Sequence, residues 1–153
     1  MDSRYITDGD LIPFDDLIAG DTVYVDKTKF ACELAKRRGS FLLTRPRRMG
    51  KSTMVSTLEY LFSKGTVGTE GLYCYDHWPL TERYFVFRFD WSTFVVSSEE
   101  HFQQKFGQDL DLYASYFGVE IPTNIRVDIR FEILIKLCLE KRESQELCVL
   151  FFQ

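Results

Sequence analysis

Apolar residues recur at strand-like and then helix-like spacing through the second half of the chain. The segment YFVFRFD (84–90) is typical of a strand, and Ser97 with Glu100 forms a capping-box pattern ahead of a helix. Along that helix, apolar side chains fall every three or four residues, at Phe102, Phe106, Leu110, Tyr113 and Phe117. This spacing puts them on one face and predicts that the face packs in a core.

Two further elements are predicted after this aromatic helix. A broadly apolar helix follows IPTN (121–124) and covers about 125–142, with Glu132, Lys136 and Glu140 along a solvated edge. The last run, ELCVLFFQ (146–153), is typical of a buried strand.

The first half gives a less regular pattern. The segment TVYVDKT (22–28) begins like a strand, and Asp26 is placed to cap a helix of about ten residues that ends at Gly39. Phe30 and Leu34 would face inward from this helix. The run FLLT (41–44) predicts a brief apolar strand.

A second helix is predicted from Lys51 onward. Its apolar positions are Met54, Leu58, Leu61 and Phe62, and Gly65 stands where a C-terminal cap belongs. Residues 65–83 are rich in glycine and turn formers and predict a long loop.

The order of these elements predicts one α/β domain with a mostly parallel sheet flanked by helices. A chain of 153 residues is long enough for such a domain, and its 14 Phe and 8 Tyr favour a packed core over disorder. The net charge of -4 argues against a protein held to nucleic acid by its overall charge. Any nucleic-acid contact would have to be local.

The four cysteines predict buried, reduced thiols. Cys32, Cys74, Cys138 and Cys148 form no CxxC pair, and the two histidines do not complete the spacing of a zinc site. The N-terminus lacks the apolar stretch of a signal peptide, and no apolar run is long enough to cross a membrane. We therefore expect a cytoplasmic protein without a membrane partner.

The stretch FLLTRPRRMGKST (41–53) carries the candidate chemistry. Its Gly50, Lys51 and Ser52 match the end of the Walker A pattern GxxxxGK[ST], in which backbone N–H groups and the lysine bind phosphates and the hydroxyl binds Mg²⁺. Arg45 replaces the first glycine, and Pro46 removes one backbone donor. The pattern favours an anion-binding loop, with a solvated basic turn and a nucleic-acid contact as the alternatives.

Two motifs together resemble a known family. VYVDKTKF (23–30) and LLTRPRRMGKS (42–52) are similar to the paired motifs of the AAA-ATPase-like family. LIPFDDLIAGDTVYVDKT, GTEGLYCYDHWP and YFVFRFDWSTF are similar to other segments of the same family. The resemblance implies a P-loop NTPase fold, commonly fused to a PD-(D/E)XK nuclease-like domain.

The resemblance also implies the binding residues and cofactors. ATP and Mg²⁺ would be held by Arg45, Arg47, Arg48, Met49, Gly50, Lys51, Ser52 and Thr53, with the Ser52 hydroxyl on the metal. Asp26 and Lys27 match the VDKT signature and would brace the nucleotide pocket or cap the early helix. No catalytic residue is assigned.

The end of the chain departs from the family pattern. Family members continue into a Walker B strand ending in acidic residues, where this chain has Phe152 and Gln153. We therefore expect residues 1–153 to be the N-terminal portion of a single family domain, with a lead-in at 1–40 and a P-loop core at 41–153. The expected function is ATP binding with weak or absent hydrolysis, so the assignment as an enzyme stays open. The alternatives are a basic-loop nucleic-acid-binding module and a non-functional remnant.

Overall fold

The computed structural model of the chain describes residues 12–20, 24–44, 46, 48–90, 97–142 and 147–152. The chain folds as two compact units, Met1–Arg83 and Tyr84–Gln153. Each unit is described below by itself. The predicted organisation of 1–153 as a single family domain stays a prediction.

Four helices make up the described part of the first unit. They are α1 (Phe14–Ala19), α2 (Thr28–Ala35), α3 (Lys51–Lys64) and α4 (Tyr73–His77). The long helix α3 lies where its apolar spacing predicts it, and Gly65 ends it with a positive φ of 73°. The short helix α4 interrupts the segment that was predicted to be a continuous loop.

Phe14 is the centre of the first unit's core. Its side chain is fully buried and makes edge-to-face contacts with Tyr24 and Tyr60, at centroid distances of 5.6 and 5.3 Å. Its backbone N–H donates to the buried Ser56 Oγ at 2.8 Å, which fixes α1 against α3. Leu61 of α3 is also fully buried.

The second unit combines two helices with two short strands. Its elements are β1 (Phe85–Asp90), α5 (Glu99–Phe117), α6 (Val127–Arg142) and β2 (Leu147–Phe152). The strands pair in parallel, with Phe85 opposite Leu147 and Asp90 opposite Phe152. All four elements were predicted from sequence, and the predicted bounds of α6, about 125–142, agree with the observed ones within two residues.

Aromatic side chains dominate the core of the second unit. Phe87 and Phe89 of β1 are buried, and each packs edge-to-face on Phe131 of α6 at 5.6 Å. The predicted stripe on α5 joins this core through Phe102, Phe106, Leu110, Tyr113 and Phe117. The helix cap is Ser98, one residue after the expected Ser97, and its hydroxyl accepts from the His101 N–H at 3.1 Å.

The predicted fold class is wrong for this chain. A P-loop NTPase-like α/β fold needs a mostly parallel sheet flanked by helices, whereas the described residues are predominantly helical. Within them, extended structure is confined to two strands of six residues each.

The segment 41–44 shows the reason for this error. It was predicted to be the strand before the phosphate loop, but it is not a strand, and Leu42 is 88% exposed. A strand needs a neighbour for its backbone groups, and no described residue pairs with this run. The inward position predicted for Phe30 is also wrong, because its side chain is 55% exposed while Ala31 and Cys32 are buried.

Candidate functional site

The residue before helix α3 has a backbone conformation that favours glycine. Gly50 lies in the left-handed region, with φ 72° and ψ 25°, and its carbonyl accepts the Met54 N–H at 3.0 Å. Arg48 is also left-handed, with φ 64°, which is uncommon for a residue with a side chain. Such conformations cluster at ligand-binding turns.

Lys51, Ser52 and Thr53 form the first turn of α3, and all three are half-buried. Gly50 has no side chain to cap the first N–H groups of the helix. Those groups and the helix dipole together favour an anion at this end of α3. The Thr53 carbonyl accepts the Thr57 hydroxyl at 2.8 Å, so the following turn is held by an internal bond.

A cleft of about 200 Å³ opens beside this helix start. Gly50, Thr53 and Met54 form one side of it. The other described lining residues come from α1 and from the segment before α2, and they are Leu17, Tyr24, Val25 and Lys27. Burial raises the pKa of the Tyr24 phenol, so this tyrosine stays neutral at physiological pH.

Lys27 approaches the glycine at the helix start directly. A Cβ atom added to Gly50 would lie 3.3 Å from the Lys27 ammonium nitrogen. Glycine is therefore favoured here twice, by its positive φ and by this close approach. The contact brings together two segments that the sequence separates widely.

The residues on either side of Lys27 are anchored by hydrogen bonds. Asp26 Oδ1 accepts from the Thr28 N–H at 2.8 Å and from the Thr28 hydroxyl at 2.7 Å, and Oδ2 accepts from the Tyr73 N–H at 2.7 Å. The Thr28 hydroxyl oxygen also accepts from the Cys74 N–H at 3.0 Å. Asp26 thus accepts the first N–H of α2, although Lys27 and not the expected Asp26 occupies the N-cap position. Asp26 and Thr28 also satisfy two N–H groups of the first turn of α4.

The ionised form of Asp26 is stabilised by this arrangement. Partial burial opposes ionisation, but the hydrogen bonds from Tyr73 and Thr28 outweigh it and lower the pKa of the carboxyl. An aspartate that already accepts three hydrogen bonds is a structural brace and a poor proton acceptor.

The predicted site residues are partly visible in this geometry. Gly50, Lys51, Ser52 and Thr53 are consecutive at the start of α3, while Arg48 and Met49 precede them with exposed side chains. Arg45 and Arg47 lie outside the described residues. The cleft also contains Lys27, which the family resemblance assigned either to bracing the nucleotide pocket or to capping the early helix.

The described residues hold no cluster of three or more His, Cys, Asp or Glu side chains with the arrangement of a metal site. Magnesium is commonly bound through substrate phosphates and few protein ligands, so this composition is compatible with a metal that arrives on a nucleotide. Ser52 is the hydroxyl that the sequence motif assigns to that metal.

Comparison with known proteins gives the family. A family model described as "Predicted AAA-ATPase" matches residues 11–151. The chain belongs to the AAA-ATPase-like family. The match spans both compact units and includes the helix start at Gly50 and the segment around Lys27.

One curated relative of this AAA-ATPase-like chain comes from Azotobacter chroococcum mcd 1, where it is described as an uncharacterized protein in the vnfD 5' region. It is 32% identical over 99 residues, which cover 65% of this chain and 19% of the relative. The chain therefore spans about a fifth of the relative's length. No solved structure matches the chain. In the part of the chain that the structure describes, no helix is both long and apolar enough to cross a bilayer.

Proposed function

We propose that this chain binds a nucleoside triphosphate, such as ATP, together with Mg²⁺. The observation that carries the proposal is the left-handed Gly50 directly before Lys51 and Ser52 at the first turn of α3. The family description as a predicted ATPase supports it. The adjoining cleft supplies space for part of the ligand.

In this proposal the N–H groups at the start of α3 bind phosphate oxygens, and Lys51 neutralises their charge. The Ser52 hydroxyl contacts Mg²⁺, which the nucleotide brings with its phosphates. Arg45, Arg47 and Arg48 add guanidinium groups before the glycine, and Met49 and Thr53 flank Gly50–Ser52 in the sequence.

We further propose that this chain hydrolyses the nucleotide slowly, if at all. The described residues that line the cleft contribute no carboxylate that would activate a water molecule. Asp26 lies between the lining residues Val25 and Lys27 in the sequence, but its oxygens already accept hydrogen bonds from Thr28 and Tyr73. It is therefore poorly suited to activate a water molecule.

Isothermal titration with Mg·ATP tests the binding proposal. Lys51→Ala is expected to weaken binding by about tenfold or more, because a charge-assisted phosphate contact is lost. Lys136→Ala, an exposed lysine of α6, is the matched control and is expected to bind like the unchanged chain. Equal affinities for all three proteins would refute binding at the Gly50–Ser52 loop, and no binding by the unchanged chain would refute the proposal as a whole.

The nucleic-acid alternative is distinguished in the same series. Titration with duplex DNA at increasing salt would show steeply falling affinity if the basic loop contacts phosphates of a nucleic acid. DNA binding that survives an excess of Mg·ATP, in a chain that shows no heat with Mg·ATP alone, would replace the nucleotide proposal with that alternative.

A further inference from the structure

Lys27 is held in a fixed position although it lies outside the glycine-containing loop. Its neighbours Asp26 and Thr28 are tied to the first turn of α4 by hydrogen bonds of 2.7 to 3.0 Å. The backbone that carries Lys27 is therefore fixed on both sides. Its ammonium reaches towards Gly50.

Among the described residues, the charge of this ammonium has no ion-pair partner. The Lys27 side chain is half-buried, and within the described part of the chain no carboxylate forms an ion pair with it. Removing a cation from water without a counter-charge is unfavourable. A bound anion would supply that counter-charge.

The described lining of the cleft combines one charged side chain with mostly less polar ones. Lys27 is the charged side chain among the described residues that line it, whereas Leu17, Val25 and Met54 are apolar and Tyr24 presents a neutral ring. A volume of about 200 Å³ is below the usual range of about 300–1,000 Å³ for a complete small-molecule pocket. The cleft therefore fits part of a ligand that has an anionic group next to a less polar body.

We propose that Lys27 binds the phosphate groups of the nucleotide, as a second lysine in addition to Lys51. This inference rests on the proposed function and deepens it, because it assigns the VDKT lysine to the ligand and leaves Asp26 and Thr28 as its structural supports. Lys27 contributes charge from the segment before α2, close to Gly50 at the start of α3.

Affinity measurements on three variants test the inference. Lys27→Gln is expected to bind Mg·ATP about 10- to 100-fold more weakly than the unchanged chain. Its affinity for inorganic triphosphate is expected to fall by a similar factor, because the lost contact is to phosphate. Lys27→Arg retains the positive charge and is expected to recover most of the lost affinity. Lys29→Gln, which replaces an exposed lysine in the first turn of α2, is the matched control.

The outcomes separate this inference from the proposed function. If Lys27→Gln binds as tightly as Lys29→Gln while Lys51→Ala binds weakly, Lys27 has no role in binding and the proposed function stands. If the unchanged chain binds no nucleotide, both are wrong. A melting temperature equal to that of the unchanged chain shows that lost affinity in Lys27→Gln comes from the ligand contact.

A second measurement needs no variant and so does not depend on how a variant folds. Amine acylation of the unchanged chain, read by peptide mass spectrometry, is expected to slow at Lys27 when Mg·ATP is bound and to stay the same at Lys29. Equal acylation of Lys27 with and without nucleotide, under conditions where binding is measured by titration, would overturn the inference.

Discussion

Asp26 connects a short sequence motif to the local structure of the candidate site. Its carboxylate accepts hydrogen bonds from Thr28 and Tyr73 and so joins the start of α2 to the start of α4. The aspartate and threonine of VDKT therefore have structural roles, and the lysine between them faces the cleft. At the residue scale, the motif therefore contains two residues that support the backbone and one that lines the cleft.

The Asp26 brace predicts a loss of stability on substitution. Asp26→Asn keeps one oxygen acceptor but points an amide donor at either Thr28 or Tyr73, so we expect the free energy of unfolding to fall by about 1 kcal/mol at pH 7. Urea denaturation measures this change. Asp128→Asn, which removes a carboxylate from an exposed ion pair with Arg126, is the control and is expected to change little.

The pH dependence of this difference follows from the lowered pKa of Asp26. The folded carboxyl ionises below its ordinary pKa of 3.8, so its stabilising effect is complete above that value. The effect is lost as pH falls through the lower pKa of the folded state. The difference between Asp26→Asn and the unchanged chain should therefore shrink below about pH 4, and a constant difference would contradict the assignment.

At the scale of elements, the Tyr113 side chain of α5 hydrogen-bonds to the backbone of strand β1. Its hydroxyl oxygen accepts the Arg88 N–H at 2.6 Å, and the same hydroxyl donates to the Arg88 carbonyl at 2.6 Å. In a larger sheet, a further strand beside β1 would satisfy these groups. Helix α5 therefore packs on β1 and also hydrogen-bonds to its backbone.

Removing the Tyr113 hydroxyl should destabilise the second unit. Tyr113→Phe preserves the ring contacts in the core but leaves both Arg88 backbone groups without this partner, so we expect a loss of about 1–3 kcal/mol. The Arg88 amide should also exchange with deuterium faster.

Tyr116→Phe on the same helix is the matched control for this element. Tyr116 is 78% exposed, so its hydroxyl is solvated and its removal should be close to neutral. If both variants have the same urea midpoint and the same Arg88 exchange rate as the unchanged chain, the hydrogen bonds between Tyr113 and Arg88 do not stabilise β1.

At the scale of the whole molecule, each compact unit has a fully buried thiol of raised pKa. Burial raises the pKa of Cys32 in the first unit to about 11, with a further contribution from Cys74. Burial likewise raises the pKa of Cys138 in the second unit to about 11, against the opposing charge of Lys141. Neutral thiols react slowly with electrophiles, so both are expected to resist labelling at pH 8.

Because the pKa values of these two thiols are raised in the folded state, we expect the protein to lose stability at alkaline pH. Unfolding exposes them to water, where they ionise at their ordinary pKa of 9.0, while the folded thiols stay protonated until about pH 11. Between these values the folded state binds more protons, so the free energy of unfolding should fall as pH rises. Denaturation at pH 8 and pH 10 measures the fall, and Cys32→Ala and Cys138→Ala should each reduce it. An unchanged pH dependence in both variants would contradict the prediction.

The sequence by itself determined the elements whose signals are local. Helix α3 was predictable from its spacing and Gly65, and α5 from its aromatic stripe, because side chains three and four residues apart share a face wherever the helix lies. The VDKT and RPRRMGKS motifs were sufficient to indicate the family, which the match over residues 11–151 confirms.

Only the tertiary structure decided the features that depend on distant partners. The run at 41–44 has strand-like composition but no paired neighbour among the described residues, and strand formation requires that neighbour. The approach of Lys27 to Gly50 depends on how α2, α3 and α4 pack, which no local spacing specifies. Periodicity identifies the face that a helix buries, but the partner of that face depends on packing between segments far apart in sequence. The same packing decides which charged side chain, here Lys27, lines the cleft.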